Sequence, residues 1–294
     1  MPLDDLLNSV KDGKVLLDEV DRFLESGKKK PRGVINDDRE KNVWHVSQLH
    51  GCIRAIMFQR FGFKSKDKVT AKGEKIFDTG HSFGYTAQEY LYYMDKLYGK
   101  WRCRLCGHKW VDMEEPSPRE CPNCGEKLYI WHNLSYLEVP ARDDELGIAG
   151  HADAVTKTKG KKRVVELKTI KNRTERTHPN STCFEDLNEP KEGHLWQISM
   201  YMHLLDVRHG VIWYRGKNDQ RDKEFTIRLQ EELHIDPQIR KVKKLNEHFE
   251  EKTMPSRPEF ATGKNCWDCK YCGYKDLCYS LDSEDLQDYR EEAN

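Results

Sequence analysis

Residues 150–170 read GHADAVTKTKGKKRVVELKTI. Two β-branched segments, one around Val155 and one from Val164 to Ile170, flank a Lys/Thr/Gly-rich break, the signature of a β-hairpin. With the turn centred between Lys159 and Gly160, Asp153 lies directly opposite Glu166. Cross-strand neighbours have β-carbons about 4.5–5.5 Å apart, near enough for both carboxylates to grip one cation. Period-two alternation puts Lys168 on the same face. A two-residue shift of the turn changes the partner but keeps both acids on that face, whereas a one-residue shift breaks the arrangement.

Two buried like charges repel, so the pair makes physical sense around a divalent cation, and a hard, oxygen-lined site favours magnesium or manganese. Lys168 then orients or stabilises an attacking water. An E-x-K triplet is common by chance, and taken alone it reads as an ion pair on a solvated hairpin. Its neighbours along the chain decide between the two.

The chain has 294 residues, 37% of them hydrophobic and 34% charged, which fits one main core with a small appendage. The 50 basic residues balance the 50 acidic ones, so net charge argues neither for nor against a nucleic-acid partner. No apolar run approaches the roughly 20 residues that span a bilayer, and the opening MPLDDLLNSVKDGK is acidic where a secretion signal is basic and then apolar. An intracellular, cytoplasmic protein without membrane contact is expected.

Ten cysteines in such a chain point to metal rather than disulfides. Cys103-x2-Cys106 and Cys121-x2-Cys124 form two knuckles, each with a glycine after its second cysteine. Two knuckles make a closed tetrahedral site with no position left for substrate, a structural zinc ribbon. Arg102, Arg104, His108, Lys109 and Arg119 surround it, and contact with DNA or a partner stays open. The second set, Cys266, Cys269, Cys272 and Cys278, could hold zinc alone. Its crowded spacing with a distant fourth ligand is also common for iron-sulfur clusters, and Cys52 is a candidate for that ligand. Read alone, Cys52 is a buried apolar residue on a helix with Leu49, Ile53, Ile56 and Met57 inward.

Gly150 to Asp153 as G-x-x-D, followed by Glu166 to Lys168 as E-x-K, resembles the active site of the PD-(D/E)xK nuclease superfamily. Gln197 and Tyr201, four apart and so on one helix face, resemble the Q-x-x-x-Y motif of its RecB-like branch. Gly80-His81, at the start of an expected helix, stands where that branch commonly carries a metal-binding histidine. Cys52 with Cys269, Cys272 and Cys278 resembles the cysteine pattern of the branch's iron-sulfur members, among them CRISPR-associated exonucleases and phage relatives. The zinc ribbon is an insertion that smaller members lack, Cys266 is an extra cysteine beside the cluster set, and Cys183 belongs to neither set.

This resemblance implies an α/β, restriction-endonuclease-like core, a mixed central sheet flanked by helices, with a 4Fe-4S cluster clamping the C-terminal segment. It implies Mg²⁺ or Mn²⁺ held by His81, Asp153, Glu166 and the carbonyl of Leu167, with Lys168, Gln197 and Tyr201 completing the catalytic set. Hydrolysis of DNA, as single strands or at ends, to a 5′-phosphate and a 3′-hydroxyl follows, in recombination, replication, repair or CRISPR adaptation. Replication, recombination or CRISPR integration proteins are possible partners, an oligomer is possible, and a phage-encoded chain would work in the host cytoplasm. A catalytically silent DNA-binding subunit and a recruitment subunit of a replication or recombination complex are the alternatives.

The expected domains are a helical leader at 1–42, a nuclease core at 43–99 and 131–294, and the ribbon at 100–130. In the leader Leu6, Leu7, Val10, Leu16, Leu17, Val20 and Leu24 recur at near-helical spacing. A basic run that includes Lys161, Lys162, Arg163, Lys171 and Arg173 flanks the hairpin acids. Such a run is usually a solvated face, but phosphate neutralisation holds nucleic acid independently of sequence, and these five are expected to contact DNA. The polar stretch from Asn172 to Glu192, with Pro179 and Pro190, reads as a long loop near the site.

Overall fold

The computed structural model describes residues 20, 22–26, 42–66, 70–175, 177 and 181–281. Most of the expected leader therefore lies outside the described residues, as do Leu6, Leu7, Val10, Leu16 and Leu17. Leu24 is buried, and the Glu25 carboxylate accepts from the Ala71 amide at 3.3 Å.

The hairpin forms as its residues dictate. Strand β7 (Ala154–Thr158) pairs antiparallel with β8 (Lys161–Ile170), beginning at Ala154 opposite Val165. Lys159 and Gly160 turn the chain with φ of 50° and 75°, the left-handed pair that a two-residue hairpin loop needs. This is the register that sets Asp153 across from Glu166. Asp153 itself is not inside a strand: it stands at a bend between β6 (Ile148–Ala152) and β7.

That bend links two sheets. In the first, β6 lies between a short parallel strand β1 (Trp44–His45) and the antiparallel strand β5 (Val139–Asp143). In the second, the order is β10-β9-β8-β7, with β9 (His209–Gly216) parallel to β8 and β10 (Asp222–Arg228) antiparallel to β9. Parallel neighbours need a crossover, and the helix Glu192–Leu204, called α3 below, supplies it and lies on β8 and β9. The result is a mixed α/β core consistent with a restriction-endonuclease-like fold.

Helix α1 (Ile53–Arg60) begins immediately after Cys52, and α2 (Ala71–Tyr93) is capped by Thr70, whose hydroxyl accepts from the Gly73 amide. Phe83, Ala87 and Tyr92 form the buried stripe of α2. His81 is thus mid-helix, ten residues past the N-terminus, and not at a helix start. Gly80 lies on the side of α2 that meets β8, where a β-carbon would make only an ordinary contact, 3.8 Å, with Thr169 Oγ1.

The third sheet, β2 (Gly99–Cys103), β3 (Lys109–Asp112) and β4 (Leu134–Tyr136), is the ribbon. Its last strand lies beyond residue 130. It is bonded into the core: Tyr98 N–H donates to Val155 O, Leu137 N–H to Lys100 O, and Lys100 N–H to Glu138 O. The rings of Tyr85 on α2 and Trp131 meet edge to face at 4.9 Å.

After β10 come α4 (Glu231–His234), α5 (Asp236–Glu250), α6 (Trp267–Lys270) and α7 (Lys275–Ser280). The C-terminal helices close on α1 through the buried Arg54, whose guanidinium donates to Pro255 O at 2.6 Å and Cys278 O at 3.5 Å. Phe58 stacks on Tyr274 at 5.5 Å beside it.

Candidate active site

Three backbone features aim side chains at one place. The β6–β7 bend frees Asp153 from the ladder, and its Oδ2 accepts from the Leu167 amide at 2.7 Å. Two-residue alternation on β8 sends Glu166 and Lys168 to one face, with Lys168 Nζ 2.5 Å from Glu166 Oε1. The third feature was not expected: Glu138, just before β5, holds a left-handed φ of 60° that costs an ordinary side chain about 1–3 kcal/mol. Its carboxylate lines the same cleft as Asp153 and Lys168.

The cleft is about 470 Å³ and is bounded by Phe77, His81 and Gln88 of α2 on one side and by Leu167 and Thr169 of β8 on the other. Gln88 is buried and donates to Asp153 O at 2.9 Å, bracing the bend. On the far side Gln197 Oε1 accepts from Lys168 Nζ at 3.3 Å. Tyr201, one turn along α3, lies against Gly150; a β-carbon at 150 would come within 2.8 Å of its ring. So the structure gathers His81, Asp153, Leu167 and Lys168 about one cleft, with the buried Glu166 joined to it through its ion pair with Lys168 and with Gln197 and Tyr201 behind.

Electrostatics follow from burial. Glu166 is fully buried, and apart from its ion pair with Lys168 its carboxylate has no hydrogen-bond partner among the described residues. Burial, then the Asp153 charge, pushes its pKa up to about 8. Glu138 is pushed up to about 8 by burial and then by Asp153 and Glu166. Burial also raises Asp153, against the pull of Lys168 and the Leu167 amide. Glu166 and Asp153 together hold Lys168 above its ordinary value despite its burial. His194, next to Tyr214 at 2.7 Å, is forced down to about 3 by burial and then by Lys168, so it stays neutral and adds no competing cation.

Three crowded carboxylates with too few donors are a deficit of positive charge, which a divalent ion with oxygen ligands corrects. The donor set therefore fits magnesium or manganese. Glu138 had a faint sequence signal, an acid between Leu137 and Val139 where a strand begins. Gln88 and His194 had none.

The basic run is divided by the length of β8. Lys162 pairs with Glu114 at 3.0 Å, while Arg173 pairs with Asp186 well beyond the hairpin. Lys161 lines a different cleft from that of the acids.

The ribbon thiols converge: Cys103 and Cys124 sulfurs are 3.9 Å apart, Cys106 and Cys121 3.7 Å, and all four lie within 4.8 Å of one another. Sulfurs about 2.3 Å from a tetrahedral ion stand roughly 3.8 Å apart, so the four can hold one metal. Gly107 and Gly125 adopt φ of 78° and 69°, and their amides donate to Cys103 O and Cys121 O, closing the two knuckles alike. Cys52, Cys269, Cys272 and Cys278 instead line one small apolar chamber between α1 and the C-terminal helices. Cys266 is not part of that lining.

Residues 84–279 match the profile of the PD-(D/E)XK nuclease superfamily. The chain belongs to this superfamily, whose members are metal-dependent nucleases. No curated protein matches the chain. Among the solved structures that resemble it are the following two. One, described as the crystal structure of SSO0001, is 16% identical with a TM-score of 0.46, covering 91% of this chain and 97% of that one. The other, described as LHK-Exo in complex with dAMP, is 10% identical with a TM-score of 0.38, covering 73% and 91%. Among the described residues no helix is long and apolar enough to cross a membrane.

Proposed function

We propose that this protein is a magnesium- or manganese-dependent deoxyribonuclease that trims DNA strands, single strands or ends, as an exonuclease. The observation that carries the reading is the buried Glu166 carboxylate, whose one cationic partner is Lys168, beside a solvent-open cleft that Lys168 lines together with Asp153 and Glu138. Asp153, Glu166, Glu138, His81 and the Leu167 carbonyl would hold the divalent ion, which when bound lowers the pKa of a water and stabilises charge on the phosphate.

Lys168 places a fixed positive charge beside the reacting phosphate, where a preorganised donor is most effective. Gln197 fixes the ammonium from behind, and Gln88 and the Leu167 amide fix Asp153. His81, exposed on α2, offers an imidazole at the cleft mouth.

The ribbon thiols suit zinc, because their spacing is that of a closed tetrahedral site. The four cysteines Cys52, Cys269, Cys272 and Cys278, which line one chamber, suit a 4Fe-4S cluster, which would tie α1 to the C-terminal helices. Metal analysis of anaerobically purified protein, with Cys272→Ala beside wild type, checks this: the variant should lose iron and keep zinc.

The deciding experiment is cleavage of end-labelled single- and double-stranded DNA with magnesium or manganese, wild type against Lys168→Ala. Cleavage that vanishes in the variant supports the reading, and the label gives polarity. Tight DNA binding with no cleavage by wild type under either metal would replace it with a silent DNA-binding subunit.

A further inference from the structure

We infer that the end of the main sheet farthest from the acids is a second nucleic-acid contact, a cleft that takes the phosphodiester backbone of a bound strand. This rests on the nuclease reading and extends it to how the substrate is held.

Strands β8, β9 and β10 set three cationic or titratable side chains in one row. Arg228 is the direct cross-strand partner of His209. Arg163 precedes Val164, the partner of Gly210, and so stands beside His209 on the other flank. Like charges directly opposite one another destabilise a sheet. Lys161 and Arg208 extend the row, and Lys161, Arg208, His209, Arg228 and Leu229 line a cleft of about 530 Å³, with Arg163 next to it on β8.

Little nearby offsets this charge. Among the described residues Lys161, Arg163 and Arg228 make no salt bridge, and Glu231 is taken by Arg208 at 2.7 Å and His203 at 2.9 Å. Desolvation and then the charges of Lys161, Arg163 and Arg228 hold His209 below its ordinary value. A sheet that keeps such a row has an anion to complete it.

The shape of the row selects the anion. Neighbouring strands are about 4.8 Å apart, so Arg163 and Arg228 stand roughly 10 Å apart across β9. Two arginines can close on one phosphate across that distance, but the three cations without a salt bridge, Lys161, Arg163 and Arg228, are matched in charge and extent by a run of phosphates along a strand. Arg163 and Lys168 are five residues apart on β8, about 17 Å at 3.3 Å per residue, and their odd spacing turns them to opposite faces, so only a long strand passes from one to the other. A strand gripped here and cut at the acids is therefore held at two points, and short fragments reach only one.

The test measures binding of a fluorescent oligonucleotide of about 20 nucleotides, and one of about three, to the full chain carrying Asp153→Asn, by anisotropy across a salt series. Arg163→Glu and Arg228→Glu, with Arg163→Gln and Arg228→Gln as milder variants, should each weaken the long oligonucleotide by about 10-fold and lower the salt slope by about one. Arg228→Lys should retain binding. In the active chain the same variants should lower kcat/KM for the long strand and leave the short one unchanged.

Unaltered affinity and salt slope in both glutamate variants, with native melting curves, would overturn the assignment. So would displacement of the long strand by inorganic pyrophosphate at equal phosphate concentration, which would give the cleft to a small phosphate compound. Failure of the nuclease reading appears separately, as absence of cleavage, and leaves the binding measurement readable.

Discussion

The Leu167 amide donates to Asp153 Oδ2 at 2.7 Å, so the strand that carries one acid of the site also holds the other. The two carboxylates cannot be separated without breaking the β8 backbone geometry. Their repulsion is built into the fold, and several measurable properties follow from it.

Lys168→Ala removes the cation that stabilises the buried Glu166 charge. Cleavage should fall by about 10²–10³-fold, the usual loss when one preorganised electrostatic group is deleted. The variant should also lose more thermal stability at pH 9 than at pH 6, because Glu166 escapes its lost partner by protonating at the lower pH. Single-turnover cleavage and melting at the two pH values check both.

Without metal, stability should decline as pH rises. Glu138 and Glu166 titrate near 8 when folded against 4.5 in the ordinary carboxylate. Between these values the folded state binds more protons than the unfolded one, so stability falls as pH climbs through that window. Metal binding should release protons and reverse the trend. Melting temperature against pH, in chelator and in manganese, should give curves that diverge as pH rises.

Glu138→Gln should stabilise the metal-free protein by on the order of 1–3 kcal/mol, because it removes one of three crowded charges. The same change should weaken manganese binding, read by electron paramagnetic resonance of the free ion. A variant that is more stable and still binds manganese as wild type does would remove Glu138 from the ligand set.

Gly150→Ala drives a β-carbon to 2.8 Å from the Tyr201 ring and 3.2 Å from Val46 Cβ. Both neighbours are buried, so the strain has no cheap outlet, and a loss of about 1–3 kcal/mol is expected. Tyr201→Phe should leave that clash in place, whereas Tyr201→Ala in the same chain should recover part of the loss. Denaturant midpoints of the single and double variants measure the coupling.

Cys103→Ser should reach the acids through the ribbon. Cys103 is fully buried on β2, the strand whose Lys100 amide holds Glu138 in its left-handed turn. Loss of the ribbon metal should lower both the melting temperature and the manganese affinity. Unchanged manganese affinity after complete loss of the metal held by the four ribbon cysteines would show that the two sites are independent.

The hairpin was legible because its turn chemistry and two-residue alternation are local, and both survive folding unchanged. The ribbon knuckles were legible for the same reason. His81 was placed at a helix start by its resemblance to the branch's metal-binding histidine, whereas Thr70 caps the helix far upstream. Glu138 is brought to the acids by a hydrogen bond from the ribbon, a contact with no trace in spacing. The basic run is continuous in sequence, yet a ten-residue extended strand carries its two ends apart.

Arg54 has a consequence for synthesis. Its guanidinium is buried against Pro255 and Cys278 carbonyls that lie 201 and 224 residues later in the chain. At about 5–20 residues per second, roughly 10–45 seconds separate the appearance of the donor from that of its acceptors. Throughout that interval Arg54 lacks these two acceptors, so the closure of α1 on the C-terminal helices is reserved for the end of synthesis.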